Sequence, residues 1–120
     1  MITREFAEAF TQEWLAAWNS HDLKRVLAHY SDDFEMRSPL IPQIVGKSSG
    51  RLKGKAAVSA YWAVALGQMP GLKFEWHSTL VGADSLVIYY RGAREMVAEW
   101  FAFDPHGKVI SSSAHYAEPI

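Results

Sequence analysis

The chain has 120 residues, no cysteine and a formal net charge of -1, a length suited to one domain with a real core. So balanced a charge offers no basic surface for a phosphate backbone, so nucleic acid is not an expected partner. Without cysteine there are neither disulfides nor thiolate metal sites. Arg4, Glu5, Glu8 and Glu13 interrupt the first twenty residues. Neither a signal peptide nor a membrane span is therefore expected, and the default location is cytoplasmic.

Taken in order, Phe6, Phe10, Trp14 and Trp18 recur every fourth residue, which predicts a first helix with one strongly aromatic face. Residues 19–22 stop it, and Asp22 caps a second helix with Leu23, Val26, Leu27 and Tyr30 on one stripe. Ser31, Asp32 and Asp33 read as a turn. Residues 34–38 then alternate as a strand that Pro39 closes. The segment 40–53 carries Pro42, Gly46, Ser48, Ser49 and Gly50 and reads as irregular. Its Leu40, Ile41, Ile44 and Val45 either cap the end of the core or form a lid over a site. Residues 54–66 predict a third helix with Val58, Tyr61, Trp62, Ala65 and Leu66 on one face. Lys55 is its single charge, so it is expected to be covered on most sides. From Leu72 the period becomes two, and strands are expected over 72–81, 85–91, 95–103 and 108–116, joined by short turns as an antiparallel meander.

In the strand over 95–103, Met96, Ala98, Trp100 and Ala102 share one face, and Val97, Glu99, Phe101 and Phe103 share the other. Both are largely apolar, so neither suits bulk water. One would meet helices or a cavity. The other would meet a second subunit, which predicts a homodimer through the outer sheet face with Trp100 and Tyr89 as anchors.

The stretches WLAAWNSHDLKRVLAHYSDDFEMRSP, GKAAVSAYW and FAFDPHGKVISSSAHY, in this order of elements, resemble the nuclear-transport-factor-2-like superfamily and its SnoaL-like branch. The resemblance spans nearly the whole chain. It implies an α+β fold, a cone-shaped barrel of three N-terminal helices packed on a curved, mixed, mostly antiparallel sheet, with a hydrophobic pocket between them and usually a dimer. It leaves the reaction open, because the fold hosts isomerases, dehydratases, cyclases, epoxide hydrolases and non-catalytic binders. Set against the ketosteroid isomerases of this superfamily, the helix tyrosine position holds Trp14, the base position Ser38 and the late-strand acid position Glu99. Serine has no proton affinity near neutral pH, so Ser38 cannot act as that base. The polyketide cyclase relatives imply a single acid/base group in an apolar cavity.

Glu99 is the first candidate for that group. With Val97 and Phe101 lining a cavity, its carboxyl would be desolvated and its pKa raised; the alternative places it at an interface or in an ion pair with Arg91 or Arg37. His115 is the second candidate, because imidazole titrates near neutrality, although strand parity places it with Ser111 and Ser113 on the outer face. The expected pocket walls are Trp14, Trp18, Tyr30, Phe34, Met36, Ser38, Tyr61, Phe74, Trp76, Ile88, Tyr90, Val97, Phe101 and Tyr116, with Tyr90, Tyr61 or Trp14 orienting a ligand oxygen. With no HExxH pattern and no phosphate-binding glycine loop, neither metal nor cofactor is expected. The expected function is binding of a small apolar organic molecule, with cofactor-independent isomerase, cyclase or dehydratase chemistry through Glu99. The alternative is a non-catalytic ligand-binding or dimerising module.

Overall fold

The structure is a computed structural model that describes residues 1–46 and 49–117. Its elements are α1 (Arg4–Asn19), α2 (Leu23–Leu27), β1 (Tyr30–Arg37), α3 (Ile41–Val45), β2 (Arg51–Lys53), α4 (Lys55–Gln68), β3 (Glu75–Val81), β4 (Ser85–Arg91), β5 (Met96–Phe103) and β6 (Val109–Tyr116). The strands form one mixed sheet in the order β2-β1-β6-β5-β4-β3. Only β1 and β6 run parallel. This is the expected α+β architecture of helices on a six-stranded sheet. The sheet stays open, however, with β2 and β3 as its edges, and four helices rather than three are present among the described residues.

The aromatic period of α1 drives the assembly. The Thr3 hydroxyl accepts from the Phe6 N–H and starts the helix. From there Ala7, Phe10, Trp14, Ala17 and Trp18 are buried along one face. Phe10 meets Phe101 and Phe103 edge-on at 5.1 and 4.9 Å, and Trp14 meets Phe101 and Tyr90 at 5.3 Å. These contacts press the helix onto the sheet's inner face, where each ring removes a large apolar area from water. Asn19 then clasps the backbone of Phe74, accepting from its N–H at 2.7 Å and donating to its carbonyl at 3.0 Å. His21 bonds the Leu72 carbonyl at 2.7 Å. These side chains occupy the backbone groups that a ladder would use, so β3 begins at Glu75 and not at Leu72.

Other expectations are corrected in the same way. Tyr30 is not the end of the second helix: α2 stops at Leu27, and Tyr30 pairs with Val109 at the start of β1. Asp32 and Asp33 lie inside that strand, where an irregularity between Tyr30 and Glu35 absorbs the extra residues that a turn was expected to hold. The segment after Pro39 contains α3 and the three-residue β2, whose Leu52 pairs with Met36. Lys47 and Ser48 of that segment lie outside the described residues. The αL conformations of Gly46 and Gly50 (φ 75° and 69°) let the chain double back there. Finally, α4 is covered on one side only. Val58, Tyr61 and Trp62 are buried, while Ala56, Ala57, Ala60, Ala63, Val64 and Gly67 face solvent.

Phe101 has no exposed surface and touches the rings of Phe10 and Trp14. Phe101→Ala is expected to lower unfolding free energy by about 3–5 kcal/mol, read from the urea midpoint at constant slope. A loss within experimental error of zero would show that α1 does not seat on this ring.

Candidate functional site

Strand parity in β4, β5 and β6 sets Ile88, Glu99 and Ala114 side by side on the inner face. Ile88 is fully buried, Ala114 is small, and Glu99 stands between them with 5 % of its surface exposed. One carboxylate oxygen, Oε1, accepts a hydrogen bond from the Tyr90 hydroxyl at 3.0 Å. The other makes no hydrogen bond among the described residues. Among the described residues no cation reaches the pair. Arg37 is engaged by Glu35 at 2.7 Å on the opposite face, and Arg91 points outward in register with Met96 and Glu75. The ion pair considered for Glu99 is therefore not formed with either arginine. Burial pushes the Glu99 carboxyl up to about 7, and the bond from Tyr90 offsets only part of that shift.

Four of the five tyrosines feel this carboxyl. Burial, and then the proximity of Glu99, raise Tyr30 and Tyr90 well above the ordinary phenol range. Tyr61 and Tyr116 are raised as well, with Ser38 beside both partly offsetting the effect of burial. All four remain neutral hydroxyls around a group that exchanges its proton near neutrality. The indole N–H of Trp14 donates to the Tyr30 hydroxyl at 3.0 Å, so it is not available to orient a ligand. The buried Trp18 N–H has no partner among the described residues.

These groups surround an interior cavity of about 70 Å³. Of the expected wall residues, Trp14, Trp18, Met36, Tyr61, Phe74, Tyr90 and Tyr116 do line it, together with the candidate acid Glu99. Tyr30, Phe34, Ile88, Val97 and Phe101 point inward but are sealed behind that wall with 0–2 % exposure. Ser38 is buried at the end of β1, where its hydroxyl accepts from the Leu40 N–H at 3.1 Å and braces the turn into α3. Trp76 is not a wall residue. It is 57 % exposed beside Arg4, Glu8 and Gln12 of α1, on an edge strand whose register slips between Trp76 and Ser78, and its N–H donates to Thr79. His115 is exposed on the outer face in register with Ala98, with its Nδ1 against the Ser113 carbonyl at 3.2 Å. It therefore lies on the opposite side of the sheet from Glu99.

The wall also includes Leu40, Ile44, Trp62, Ala65, Met69 and Leu72. Trp62 and Ala65 share the apolar face of α4 with Tyr61, a visible signal, whereas Leu40 and Ile44 come from a segment whose short helix the period did not disclose. A larger recess of about 460 Å³ beside Met1, Phe6, Phe103 and Pro105 opens on the surface and holds no buried ionisable group. The interior cavity is accordingly the candidate site.

The raised carboxyl has a definite sign in the pH dependence of stability. The folded state holds the Glu99 proton up to about pH 7, and the unfolded chain releases it near the ordinary value of 4.5. Between those limits the native state binds more protons, so stability falls as pH rises. Relative to Glu99→Gln, the wild type should lose about 3 kcal/mol over that window and change little above it. Urea titrations of both proteins across the window measure the difference; parallel curves would place Glu99 in solvent.

Comparison with known proteins matches residues 11–115 to the SnoaL-like domain. A SnoaL-like protein of unknown function from Burkholderia thailandensis is 52 % identical, with a TM-score of 0.93 over 98 % of this chain and 100 % of that one. A protein of unknown function with a cystatin-like fold from Methylobium petroleophilum has a TM-score of 0.75 at 19 % identity, over 99 % of this chain and 80 % of that one. TerC, co-crystallised with polyporic acid, has a TM-score of 0.76 at 14 % identity, covering 92 % and 91 %. At such identities the last two speak for the fold alone.

Proposed function

The chain belongs to the SnoaL-like family, and on that footing we propose that it binds a small organic molecule in the interior cavity and exchanges a proton with it through Glu99. The observation that carries this reading is the carboxyl itself: buried, with no cation beside it among the described residues, bonded by one phenol, and raised by burial to about 7. Such a group gives or takes a proton at working pH without a cofactor. Ser38, committed to the Leu40 N–H, contributes no second base. The chemistry that fits is one in which a single group moves the proton, as in isomerisation, cyclisation or dehydration. At about 70 Å³ the cavity is well below the 300–1,000 Å³ usual for organic ligands, so the guest, or the part of it that enters, has few heavy atoms.

That size also favours a second reading, a non-catalytic carrier or dimerising module in which the rings of Trp14, Trp18, Trp62 and Phe74 fill most of the cup. Thermal-shift screening of small ketones, lactones, alcohols, phenols and amines separates the two. A ligand at a hundredfold excess over its Kd raises stability by about 2.7 kcal/mol. Glu99→Gln keeps the shape and an acceptor for Tyr90 but has no exchangeable acid proton. It should abolish turnover of any substrate found while leaving the cavity and the binding of neutral ligands in place. A variant that turned over at the wild-type rate would remove Glu99 from the chemistry, and a screen without hits would favour the module.

The outer sheet face supports a homodimer. Val87, Tyr89, Ala98 and Trp100 form a half-buried apolar strip in register across β4 and β5, and Leu80 beside it is 56 % exposed. Covering this strip removes apolar area from water. Trp100→Glu is expected to shift sedimentation from dimer to monomer by at least about tenfold in dissociation constant, a charge at an apolar centre being costly. An unchanged sedimentation profile would place the contact elsewhere.

A further inference from the structure

The wall of the interior cavity combines many aromatic rings with a single ionisable group. Half of the lining residues are aromatic, and among the described residues Glu99 is the one charged side chain there. We infer that the ligand of this cavity carries a small ammonium nitrogen, a quaternary or protonated amine head that pairs with the Glu99 carboxylate inside the ring of Trp14, Trp18, Trp62 and Phe74. This inference rests on the proposed use of the cavity and adds the ligand's chemical class.

A buried carboxylate ordinarily has a cationic partner. Here every packed element supplies something else. Around Glu99, β1 brings Tyr30, α4 brings Tyr61, β4 brings Tyr90 and β6 brings Tyr116, all phenols. From α1 come Trp14 and Trp18, and from the turn and helix after β1 come Leu40 and Ile44, none of them ionisable. The missing half of an ion pair is thus a cation, and among the described residues none of the wall provides it. The rings are continuous, with centroids 4.6 Å apart for Phe74 and Tyr90, 5.0 Å for Trp18 and Trp62, and 5.7 Å for Trp14 and Phe74. Indole and phenyl faces attract a cation through their quadrupole, and tryptophan does so best. Anionic ligands meet the opposite condition, an acid and no positive group. A cavity of about 70 Å³ suits a methylated ammonium head better than a multi-ring molecule.

Proton balance follows from the acid. When a neutral amine enters, the Glu99 O–H bond breaks and an N–H bond forms on the ligand. When a quaternary ammonium enters, the Glu99 proton leaves to solvent, so binding weakens as pH falls through the carboxyl's titration at about 7.

Isothermal titration of the full chain with tetramethylammonium chloride, against tert-butanol as a neutral molecule of similar shape and with sodium chloride matching ionic strength, tests this directly. The cation should bind at least about tenfold more tightly than the alcohol near pH 8, and about tenfold more weakly near pH 6 than near pH 8. In Glu99→Gln, with its fold confirmed by circular dichroism, the preference for the cation should fall to within about twofold. If that variant does not fold, the pH series on the wild type decides alone. Alcohol binding as tightly as cation, or cation binding indifferent to pH, overturns the ammonium assignment and leaves the cavity as a neutral-ligand site. Neither probe binding up to about 100 mM overturns both this inference and the proposed site.

Discussion

An acid kept from water without a cation is the condition on which this architecture turns. Its burial destabilises the charged form, and one hydrogen bond from Tyr90 offsets only part of that cost. The fold can hold such a group because the apolar work is done elsewhere. Phe10, Trp14 and Phe101 join α1 to the sheet, and Tyr30, Phe34 and Trp62 join β1 to α4. Glu99 sits between Ile88 and Ala114 in the middle of three paired strands, where the backbone is firmly fixed by its ladder. The position is rigid and the carboxyl is strained only in the electrostatic sense, which is the arrangement expected of a group retained for what its proton can do.

The rings that stabilise the helix–sheet contact also set the size of the void. Trp14, Trp18, Phe74 and Tyr90 lie close to one another at interplanar angles from 18° to 64°, and flat, rigid side chains leave gaps that flexible ones would fill. The turn and short helix after Pro39 contribute Leu40 and Ile44 to the cavity wall. That turn holds because the Ser38 hydroxyl and carbonyl cap the N–H groups of Leu40 and Ile41. The same residue therefore connects the end of a strand to the wall of the cavity.

How much of this was legible in the sequence depends on the length scale of the signal. The four-residue aromatic period of α1 and the alternation in β4 to β6 are local patterns repeated over many residues, and each emerges as read; parity puts Glu99 with Val97 and Phe101 but leaves open whether that face meets a cavity or an interface. Parity tells direction but not depth. Phe34, Ile88, Val97 and Phe101 face inward as their spacing requires, yet lie one layer behind the cavity surface. Trp76 shows the opposite failure: the register slip beside it and its place on an edge strand put it in solvent although its pairing partner Tyr90 is buried. Tyr30 was drawn into a helix by its spacing from Val26 and Leu27, and pairing with Val109 overrode that local preference. The small apolar residues of α4 suggest cover on most sides, but alanine costs little when exposed, and the helix is held chiefly by the buried Val58, Tyr61 and Trp62, with Leu66 packed beside them.

The division of labour between Ser38 and Glu99 limits the chemistry. A site with two carboxyl groups can protonate at one point and deprotonate at another. Here the end of β1 has a hydroxyl already engaged by backbone, so both halves of any proton transfer fall to one carboxyl, with neutral phenols as relays or hydrogen-bond donors. On the proposed function, a proton taken up by Glu99 would be returned close to where it was removed, or leave by way of solvent at the partly buried Tyr116. That geometry restricts the ligand to groups whose donor and acceptor positions lie within reach of one oxygen. Under the same proposal, the charge of a bound molecule, rather than a second ionisable side chain, would decide which protonation state of Glu99 is present.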